Sequence, residues 1–425
     1  MYLGYRNTCR ICNNSVLKPT FSLGNHALHG SFINPSKDVY PPIRQIPVEL
    51  VRCDPEVNNG CGLLQLKHTV SPSILYSDYG YRSSTNETMK GWLKYIVDSI
   101  LKLKPDLKSV QDIGANDLFT LKQFSQNIRR VGVDGCDIIR NVDPENIEII
   151  NGLYPNVKGN NRFIKTEYDQ KYFDVILSLA CLYDIEKINE FVSQVSYELN
   201  GSGLWVFEVA YLPTILRKID YSHFCHEHLL TFSLCTIEKL LERNGFKIFQ
   251  CRITGTNGGS ILCYACHVGN NCFDTPGELK ELQKIRLQEF DMMLDTDAPY
   301  LEFRDKVNEH GRDLYNLITK IVERDGKTIH LYSASTKGNV LLQHAKIDNK
   351  LIKYAAERSP EKVGCKTLGT NIEIISEEES RQMKPDYYLC LIPAFKIEVL
   401  EREKEIIEKG TRFIFPFPYP ISIVG

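Results

Sequence analysis

The chain has 425 residues, which is too long for one ordinary domain and predicts two or three. Hydrophobic residues make up 43% and charged residues 24% of the sequence, and the formal net charge of -2 leaves no basic excess for nucleic acid or an anionic membrane. With no apolar run long enough to span a bilayer and no signal-peptide layout at the N-terminus, we expect a cytoplasmic protein, a monomer or small homo-oligomer, without nucleic-acid or membrane partners.

Residues 1–70 form the first predicted unit, a small module rich in cysteine, proline and asparagine. A module with so small a core usually needs disulfide bonds or a metal ion to stabilise it. Four cysteines in two knuckles suit a tetrahedral structural zinc ion: Cys9 and Cys12 in CRIC, and Cys53 and Cys61 in CDPEVNNGC. Four unrelated buried cysteines are the alternative, and the shortage of core favours zinc. Seven residues separate the second pair, where about two to four are usual, so the spacing supports Cys61 least.

The chain contains 14 cysteines, and reduced thiols are the expected state in a cytoplasmic protein. Most of those outside the knuckles lie singly in apolar stretches, which predicts small buried side chains. Cys263 and Cys266 have Cys-x-x-Cys spacing, but they lie in ILCYACHV, which has the pattern of a strand. We therefore give little weight to a second metal site.

Residues 71–275 form the second predicted unit, in which strand and helix patterns alternate. TMKGWLKYIVDSILKLK has apolar positions at helical spacing, and IEKINEFVSQVSYEL is a further helix. The predicted strands are SVQDIGAN, RRVGVDGC, FDVILSLAC and GLWVFEVAYL. This alternation predicts a mostly parallel sheet with helices on both faces.

Residues 276–425 form the third predicted unit, which begins with two long helices separated near Asp297. The second helix has apolar residues on one face: Val307, Leu314, Ile318 and Ile321. KTIHLYSAS, IKYAAER and YYLCLIPAF then restart the alternation of strands and helices. We therefore predict a second α/β domain of ordinary size.

The run DIGAND, residues 112–117, ends the first predicted strand of the middle unit. In class I methyltransferases a small-residue turn at this place lets the backbone approach the amino-acid end of S-adenosylmethionine (SAM), and ligands of related folds bind beyond the carboxyl ends of the strands. Asp134, just after the second strand, is placed to accept hydrogen bonds from ribose hydroxyls. A purely turn-forming role for Gly114 and Asn116 is the alternative, and Asp134 favours the cofactor.

The segment HFCHEHLLTFS, called the HEH segment below, is the most informative stretch of the chain. It places His223, Cys225, His226, Glu227 and His228 within six residues, which is more imidazole than a bland polar loop usually carries. Adjacent side chains point in divergent directions, so one metal ion would use at most two of them. A general base held by a neighbouring carboxylate fits better.

These motifs resemble, in order, those of the SAM-dependent sugar C-methyltransferases, which add a branch methyl at C3 of nucleotide-linked 4-keto-deoxysugars. CRIC, SLGNHAL and CGLLQL resemble the zinc module of that family, and YGYRSSTNETM resembles its Tyr-Arg-Ser-Ser segment. DIGANDL is similar to its SAM loop, FCHEHLLTFSLCTIEKLLERNGF to its Tyr-His-Glu-His segment and GTNGGS to its Gly-Gly-Ser turn. SASTKGNVLL resembles its Ala-Lys-Gly-Asn loop, and AERSPEKVGCKTLGTNIEII and PDYYLCLIPAFK continue the likeness.

The resemblance implies an α/β protein with a class I SAM methyltransferase (Rossmann-like) core, an N-terminal zinc-binding module and a C-terminal second Rossmann-like α/β domain. It implies SAM and a structural Zn²⁺ as cofactors, and a nucleotide sugar as the small-molecule substrate. In that family a base removes the proton on C3, which the C4 ketone acidifies. The resulting enolate carbon attacks the methyl group of SAM.

Carried over by position, the resemblance gives roles to individual residues. The catalytic candidates are His228 as the base, Glu227 as its positioning neighbour, His226, Cys225 and, beside the substrate, Tyr81. The cofactor-binding candidates are Gly114, Ala115, Asn116, Asp117, Asp134 and Ala180. The substrate-binding candidates are Asn257 and, for the nucleotide diphosphate, Lys337 and Asn339. A merely solvated Lys337 is the alternative.

Several positions depart from the family pattern. Cys225 replaces the motif tyrosine, Leu118 replaces a glycine of the SAM loop, and Asn257 replaces a histidine. Ala180 and Asp184 stand nearest to a usual Asn-Asn pair and histidine. We favour a SAM-dependent C-methyltransferase acting on an unusual nucleotide sugar. An epimerase or isomerase that kept the enolate chemistry but lost methyl transfer, and a non-catalytic binding protein, are the alternatives.

Overall fold

The computed structural model describes residues 3–34, 45–75, 82–155 and 173–425. The N-terminal module consists of short strands and one helical turn: β1 (Leu3–Tyr5), β2 (Leu17–His26), β3 (Phe32–Ile33), β4 (Ile46–Cys53), β5 (Leu64–Leu66), β6 (His68–Val70) and α1 (Pro72–Leu75). β2, β4 and β5 form an antiparallel sheet, and β1 pairs with β6. Its buried apolar side chains, among them Phe21 and Leu50, belong to the same apolar cluster as residues of the other two units.

The middle of the chain alternates strands and helices, as the sequence predicts. Its elements are α2 (Glu87–Leu103), β7 (Ser109–Ile113), α3 (Phe119–Lys122), β8 (Arg129–Asp134), β9 (Glu148–Asn151), β10 (Phe173–Leu179), α4 (Ile188–Glu198), β11 (Leu199–Ala210), α5 (Leu212–Lys218), β12 (Leu230–Thr231), α6 (Leu234–Glu242), β13 (Phe246–Thr254) and β14 (Ser260–His267). Within the described residues, its main sheet has the strand order β13-β14-β11-β10-β7-β8-β9. The strands from β11 to β9 in this order pair in parallel, and β14 is antiparallel to both of its neighbours. β8 and β9 follow β7 on one side of the sheet, whereas β10 and β11 continue on the other side of β7. The strand order therefore reverses between β7 and β10, and a crevice opens at such a point.

Alternate residues of the central strands face opposite sides of this sheet, and helices cover both sides. On β10, Val175 and Leu177 belong to the apolar cluster that contains Ile96 of α2. Ile176 points to the other side, into the cluster that contains Phe191 of α4. A strand buried on both faces requires the continuous apolar run that the sequence shows here. The predicted sheet with helices on both faces is therefore confirmed.

The C-terminal unit begins with two helices, α7 (Pro276–Asp291) and α8 (Ala298–Thr319), and continues with β15 (Ile329–Tyr332), α9 (Thr336–His344), β16 (Tyr354–Glu357), β17 (Lys366–Thr367), β18 (Glu373–Ser376), α10 (Glu377–Gln382), β19 (Tyr387–Cys390), α11 (Lys396–Arg402), α12 (Lys404–Glu408), β20 (Arg412–Phe415) and β21 (Ser422–Val424). The predicted apolar face of α8 is buried, including Val307 and Leu314. None of the described helices combines the length and apolarity needed to cross a bilayer.

A second sheet organises this unit, in the order β21-β20-β19-β15-β16-β18-β17-β3 among the described residues. Its central strands, from β20 to β18, pair in parallel. The order of strand addition reverses between β15 and β19, just as it does between β7 and β10 in the first sheet. Each sheet therefore has its own crevice at the carboxyl ends of its strands.

The three parts of the chain exchange strands. β12, from the middle of the chain, joins the N-terminal sheet through Leu230↔Gln65 and Thr231↔Leu64. β3, from the N-terminal module, joins the C-terminal sheet by pairing with β17. The N-terminal module therefore contacts both α/β units through backbone hydrogen bonds.

Candidate functional site

The four cysteines of the N-terminal module lie together. Their Sγ atoms are all within 4.8 Å of one another; those of Cys9 and Cys61 are 3.3 Å apart, and those of Cys12 and Cys53 are 3.5 Å apart. Thiolates about 2.3 Å from a tetrahedral zinc ion lie about 3.8 Å from one another, so this spacing fits a structural zinc ion. Cys61, which the sequence spacing supported least, belongs to the cluster.

The stretched second knuckle closes through residues that adopt left-handed backbone conformations. Asn58 and Asn59 have φ of 53° and 52°, and Gly62 has φ of 85°. A Cβ added at Gly60 would lie 1.9 Å from the carbonyl oxygen of Asp54, so this close approach requires glycine. The loop therefore folds back on itself and brings the fourth thiol to the other three.

A cavity of about 570 Å³ lies where the carboxyl ends of strands from both parallel sheets meet. The loops after β7, β8 and β10 and the HEH segment form one side of its wall, and the loops after β15, β16 and β19 form the other. Gly30 and Phe32 of the N-terminal module complete the wall. All three parts of the chain thus share one concave site, which is large enough for small-molecule ligands.

The loop after β7 turns sharply beside a buried carboxylate. Gly114 has φ of 82°, and an added Cβ would lie 3.1 Å from the Cβ of Cys181. Asn116 has φ of 48°, and its backbone N–H donates to Asp134 Oδ2 over 2.7 Å. Asp134 Oδ1 accepts from the backbone N–H of Cys136, also over 2.7 Å. The turn at Gly114 and the carboxylate of Asp134 are therefore joined by a hydrogen bond at the edge of the cavity.

The polar side chains of this loop bind the segment that precedes α2. Asn116 Oδ1 accepts from the backbone N–H of Ser83 over 3.0 Å, and Asp117 Oδ2 accepts from that of Ser84 over 2.9 Å. The serines of the Tyr-Arg-Ser-Ser segment are thus fastened to the cofactor loop. Tyr81, its tyrosine, lies outside the described residues.

Leu118 faces the hydrophobic core rather than the cavity. It has φ of 63° and is fully buried. A Cβ added at Gly132 would lie 2.7 Å from Leu118 Cδ2, so the leucine packs directly on β8. Leu121 belongs to the same apolar cluster. The leucine that replaces the family's glycine therefore leaves the cofactor edge of the loop open.

The charge at this edge fits the cofactor that the resemblance implies. Asp112 lines the cavity, and its Oδ1 has no hydrogen-bond partner among the described residues. Burial, together with the neighbouring carboxylates of Asp134 and Asp117, raises the pKa of Asp112 to about 7. SAM carries an ammonium and a sulfonium group, so carboxylates beside a glycine turn are suited to bind it. The small side chains of Ala115 and Ala180 line the same edge.

His228 lines the cavity as a neutral imidazole. Its Nδ1 lies 2.7 Å from the backbone carbonyl oxygen of His223. Because that oxygen can only accept, Nδ1 carries the proton and Nε2 keeps the lone pair. The ring packs against Tyr183, with 4.4 Å between the centroids. Burial, aided by the positive charge of Lys337, lowers the pKa of His228 to about 3, and the hydrogen bond to His223 opposes that shift.

Lys337 connects the C-terminal unit to the HEH segment. Its Nζ lies 3.2 Å from His223 Nε2 and donates to the carbonyl oxygen of Asn257 over 2.7 Å. Burial lowers the pKa of Lys337 to about 8, while the carboxylate of Asp220 acts in the opposite direction. Two of the substrate-binding candidates, Lys337 and Asn257, therefore lie together beside the HEH segment.

Glu227 is seated against the N-terminal module. A Cβ added at Gly30 would lie 2.0 Å from Glu227 Oε1, so the carboxyl group occupies the space that only a glycine leaves. That oxygen has no hydrogen-bond partner among the described residues. Burial raises the pKa of Glu227 to about 7. A carboxyl group with such a pKa can exchange a proton near neutral pH.

Four of the predicted cofactor-binding, catalytic and substrate-binding residues lie away from the cavity wall: Asp117, Cys225, His226 and Asn339. Cys225 is fully buried in the hydrophobic core. His226 stacks on His29 with 4.3 Å between ring centroids, and its Nε2 lies 3.3 Å from the carbonyl oxygen of Ile46. Asn339 Nδ2 donates to the carbonyl oxygen of His29 over 2.6 Å. His226 and Asn339 thus hold the N-terminal module against the two α/β units.

Glu357 lines the cavity but is not among the residues predicted from the sequence. It ends β16, the second parallel strand of its unit, as Asp134 ends β8. Its Oε2 accepts from the backbone N–H of Ala334 over 2.8 Å, and its Oε1 from that of Ser359 over 3.1 Å. The signal that could have identified it is the acidic residue at the end of IKYAAER, in the place that Asp134 has in the middle unit.

Three family models match consecutive parts of the chain. The model described as "Putative zinc binding domain" matches residues 9–76, "Methyltransferase domain" matches residues 86–250, and "C-methyltransferase C-terminal domain" matches residues 255–418. C-methyltransferase NovU from Streptomyces niveus is 28% identical over 416 residues, which cover 97% of this chain and 96% of that protein.

Two solved structures show a partial likeness. The PH0226 protein from Pyrococcus horikoshii OT3 is 15% identical, with a TM-score of 0.34 over 44% of this chain and 94% of that one. Magnesium protoporphyrin IX methyltransferase (ChlM) from Synechocystis PCC 6803 with bound SAM is 14% identical, with a TM-score of 0.30 over 43% of this chain and 82% of that one. With TM-scores this low, neither structure bears on the function.

The domain models and the full-length relative agree with the architecture. The predicted fold class is confirmed: a class I methyltransferase core with SAM as its cofactor lies between a zinc-binding module and a second α/β domain. The four clustered thiols supply the ligands of that module's zinc ion. The chain therefore combines, in this order, a zinc-binding domain, a methyltransferase domain and a C-methyltransferase C-terminal domain.

Proposed function

We propose that this protein methylates a carbon atom of a nucleotide-linked keto-deoxysugar through an enolate, with His228 as the base. A carbon becomes a nucleophile only when it loses a proton, so a C-methyltransferase of this kind needs a base beside its methyl donor. The observation that carries the proposal is the neutral imidazole of His228, with Nδ1 bound to a carbonyl oxygen, in a cavity that both α/β units line.

His228 accepts the proton at Nε2. The hydrogen bond from Nδ1 to the carbonyl oxygen of His223 fixes the tautomer and the direction of the ring. The low pKa of the imidazole keeps it unprotonated before the reaction. Negative charge on the forming enolate then stabilises the imidazolium, so the basicity of His228 rises as the proton moves.

Lys337 stabilises the enolate oxygen. An ammonium group has three N–H donors, and in this structure Lys337 directs two of its contacts to His223 Nε2 and the carbonyl oxygen of Asn257. The remaining N–H is directed to the substrate. A fixed positive charge in a buried site is an effective stabiliser of a developing oxyanion.

The nucleotide part of the substrate binds in the C-terminal crevice. That crevice lies at the carboxyl ends of β15 and β19, where the order of strand addition reverses, which is the usual place for a nucleotide in an open α/β sheet. Arg358, Lys362 and Arg402 line this part of the cavity and provide cations for a diphosphate. The acidic Glu357 is suited to accept from ribose or base donors.

SAM binds at the other end of the cavity, at the turn of Gly114. Asp134 is placed for its hydroxyl groups and Asp112 for its ammonium group. When bound, SAM supplies the methyl group that the carbon nucleophile receives. The chain's own residues orient the two ligands and hold the proton at His228.

The epimerase or isomerase alternative was motivated by Cys225 and Leu118. Both side chains are fully buried in apolar clusters and neither lines the cavity, so neither alters the surroundings of the ligands. The alternative that methyl transfer has been lost therefore has less support than methylation itself.

The test is an assay of the zinc-loaded protein with SAM and a panel of nucleotide-linked 4-keto-deoxysugars. Mass spectrometry measures the methyl group added to the sugar. In parallel, incubation in D2O measures exchange of the sugar's acidic C–H. The variant His228→Asn keeps a donor for the carbonyl oxygen of His223 but removes the basic nitrogen, and His267→Asn, which does not line the cavity, is the matched control.

We expect methyl transfer and exchange in the wild type and in the His267 variant, and loss of both in His228→Asn. Wild-type activity in the His228 variant would overturn the assignment of the base. Exchange without methyl transfer across the whole panel would favour the isomerase alternative. Absence of both reactions in the wild type would reject the substrate class.

A further inference from the structure

We propose that Arg10, which lies between two zinc-ligating cysteines, is a positioning residue for the reaction. Through Glu186 it holds the loop that packs Tyr183 against His228, so the zinc knuckle shapes the active site as well as folding its own module. The proposal rests on the proposed function in one respect, the role of His228 as the base.

Arg10 is fixed on every side. Its side chain is fully buried, and each nitrogen of the guanidinium has a partner. Nε donates to Glu186 Oε2 over 2.9 Å, one terminal nitrogen donates to the carbonyl oxygen of Leu66 over 2.6 Å, and the other donates to Thr69 Oγ1 over 2.7 Å. A buried guanidinium with this many bonds is a rigid support for its carboxylate partner.

The side chain of Glu186 connects the middle unit to the N-terminal module through hydrogen bonds. Besides Arg10, its Oε2 accepts from Thr69 Oγ1 over 2.7 Å, and its Oε1 accepts from Arg6 over 3.1 Å. All three donors belong to the N-terminal module, whereas Glu186 belongs to the loop between β10 and α4. Among the described hydrogen bonds, the side chain of Glu186 is therefore bound only by residues of the N-terminal module.

The backbone of the zinc knuckle makes a second contact with the same region. Asn189 Nδ2 donates to the carbonyl oxygens of Arg10 and Ile11, over 3.0 Å and 2.9 Å. These carbonyls lie in the turn between Cys9 and Cys12, which a bound zinc ion would hold through the two thiolates. The start of α4 is thus attached to the turn itself and not only to a neighbouring side chain.

The loop that is held in this way lines the cavity. Ala180 begins it beside the cofactor turn, and Tyr183 packs on the ring of His228 at 4.4 Å between centroids. Among the described residues, the titratable groups near His228 are Tyr183, His223, Lys337 and, from the N-terminal module, His29. Of these, only Tyr183 belongs to the loop that Glu186 anchors. Release of Glu186 would therefore loosen a described aromatic side chain that packs on the imidazole of His228.

The test compares wild type with Glu186→Ala, in zinc-loaded full-length protein. Glu190→Gln is the matched control, because Glu190 lies on α4 and pairs only with exposed Lys187 among its described contacts. The measurements are zinc content, thermal unfolding, SAM affinity by calorimetry, kcat, KM, and the pKa of His228 followed by NMR of labelled histidine. The NMR titration needs neither substrate nor turnover, so it reports even if the substrate class is wrong.

In Glu186→Ala we expect full zinc content, a pKa of His228 that rises towards the ordinary value for histidine, and a fall in kcat of about tenfold. Glu190→Gln should match wild type in every measurement. Removal of zinc from the wild type by a chelator should raise the pKa of His228 in the same direction as Glu186→Ala.

Two results would overturn the proposal. The first is a Glu186→Ala protein that holds zinc and keeps the wild-type pKa of His228 and wild-type kcat. The second is a variant that loses zinc and regains full activity when zinc is added in excess, which would confine Glu186 to folding of the module. If the pKa of His228 shifts but no methyl transfer is found in any protein, the positioning role stands and the proposed function fails.

Discussion

The two parallel sheets of this protein have the same backbone arrangement at the carboxyl ends of their strands. They differ in which part of the molecule the side chains at those ends contact. In both units an acidic residue ends the second strand and accepts from a backbone N–H group in the loop after the first strand and from another two residues further along: Asp134 with Asn116 and Cys136, and Glu357 with Ala334 and Ser359. Glu357 also accepts from the backbone N–H of Arg358. The arrangement closes each crevice with a fixed negative charge.

The difference lies in the segment that follows the first strand, which includes the start of α9 in the C-terminal unit. In the middle unit, Asn116 and Asp117 bind Ser83 and Ser84, so the loop is fastened within its own unit. In the C-terminal unit, Lys337 leaves its unit and contacts the HEH segment at His223. The loop of the middle unit is therefore bound within its own unit, while the C-terminal unit places an amino group beside the HEH segment of its neighbour. A common fold thus leaves function to the side chains at its edge.

The variant Asp134→Asn tests the first crevice and should have the largest effect. In this variant an amide NH2 group replaces one carboxylate oxygen and faces the buried backbone N–H of either Asn116 or Cys136. That N–H then lacks an acceptor, at a cost of about 1–3 kcal/mol. We expect SAM affinity to fall about ten- to hundredfold, measured by calorimetry. Binding of SAM with wild-type affinity would show that the carboxylate does not take part in cofactor binding.

Glu357→Gln tests the second crevice and sharpens the comparison. The same argument predicts a rise of about tenfold in KM for the nucleotide sugar. SAM affinity should stay at the wild-type value, because Glu357 belongs to the other sheet. A variant that weakens SAM instead would contradict the assignment of the two ligands to two crevices.

The pH dependence of the reaction tests the ammonium group of Lys337, which belongs to the C-terminal unit and lies beside the HEH segment of the middle unit. The ammonium form of Lys337 dominates below its pKa of about 8 and is lost above it, since burial lowers the pKa from 10.5. We therefore expect kcat/KM to fall about tenfold per pH unit above this value. Lys337→Arg keeps its charge at all these pH values, so its profile should lack this alkaline limb even if its activity is lower. An unchanged limb in that variant would assign it to another group.

Leu118→Gly should have the smallest effect on cofactor binding. The leucine faces the core and leaves the cofactor edge open, so we expect SAM affinity within about threefold of wild type. Stability should decrease by about 2–5 kcal/mol from the lost packing, partly offset by relief of the left-handed backbone at this position. Calorimetry and chemical denaturation measure the two quantities. A large gain in SAM affinity would show that the leucine does obstruct the cofactor.

Periodic patterns in the sequence predicted the repeating elements well. The continuous apolar run of β10 and the apolar face of α8 are local signals, because burial on both faces or on one face imposes a pattern on successive residues. The short spacing of Cys9 and Cys12 is a local signal of the same kind. Cys61 was harder to assign, because left-handed residues such as Asn58 and Asn59 shorten the loop in a way that spacing alone does not reveal.

The HEH segment shows where such patterns stop being informative. Its composition indicated chemistry, but the sequence did not show which of its side chains face the cavity. His228 and Glu227 do, whereas Cys225 and His226 point into the core and towards His29. Directions within an irregular segment depend on backbone dihedrals that distant contacts impose, and so they carry no periodic signal.

The sequence by itself determined the elements of both α/β units, the four cysteines that cluster in the N-terminal module and the small-residue turn after β7. Only the tertiary structure decided that β3 and β12 are exchanged between units, that Lys337 reaches the HEH segment, and that Arg10 holds the loop of Tyr183. The first group depends on neighbours in the chain, which a pattern records. The second depends on residues more than one hundred positions apart, as with Lys337 and His223, and folding alone brings these together.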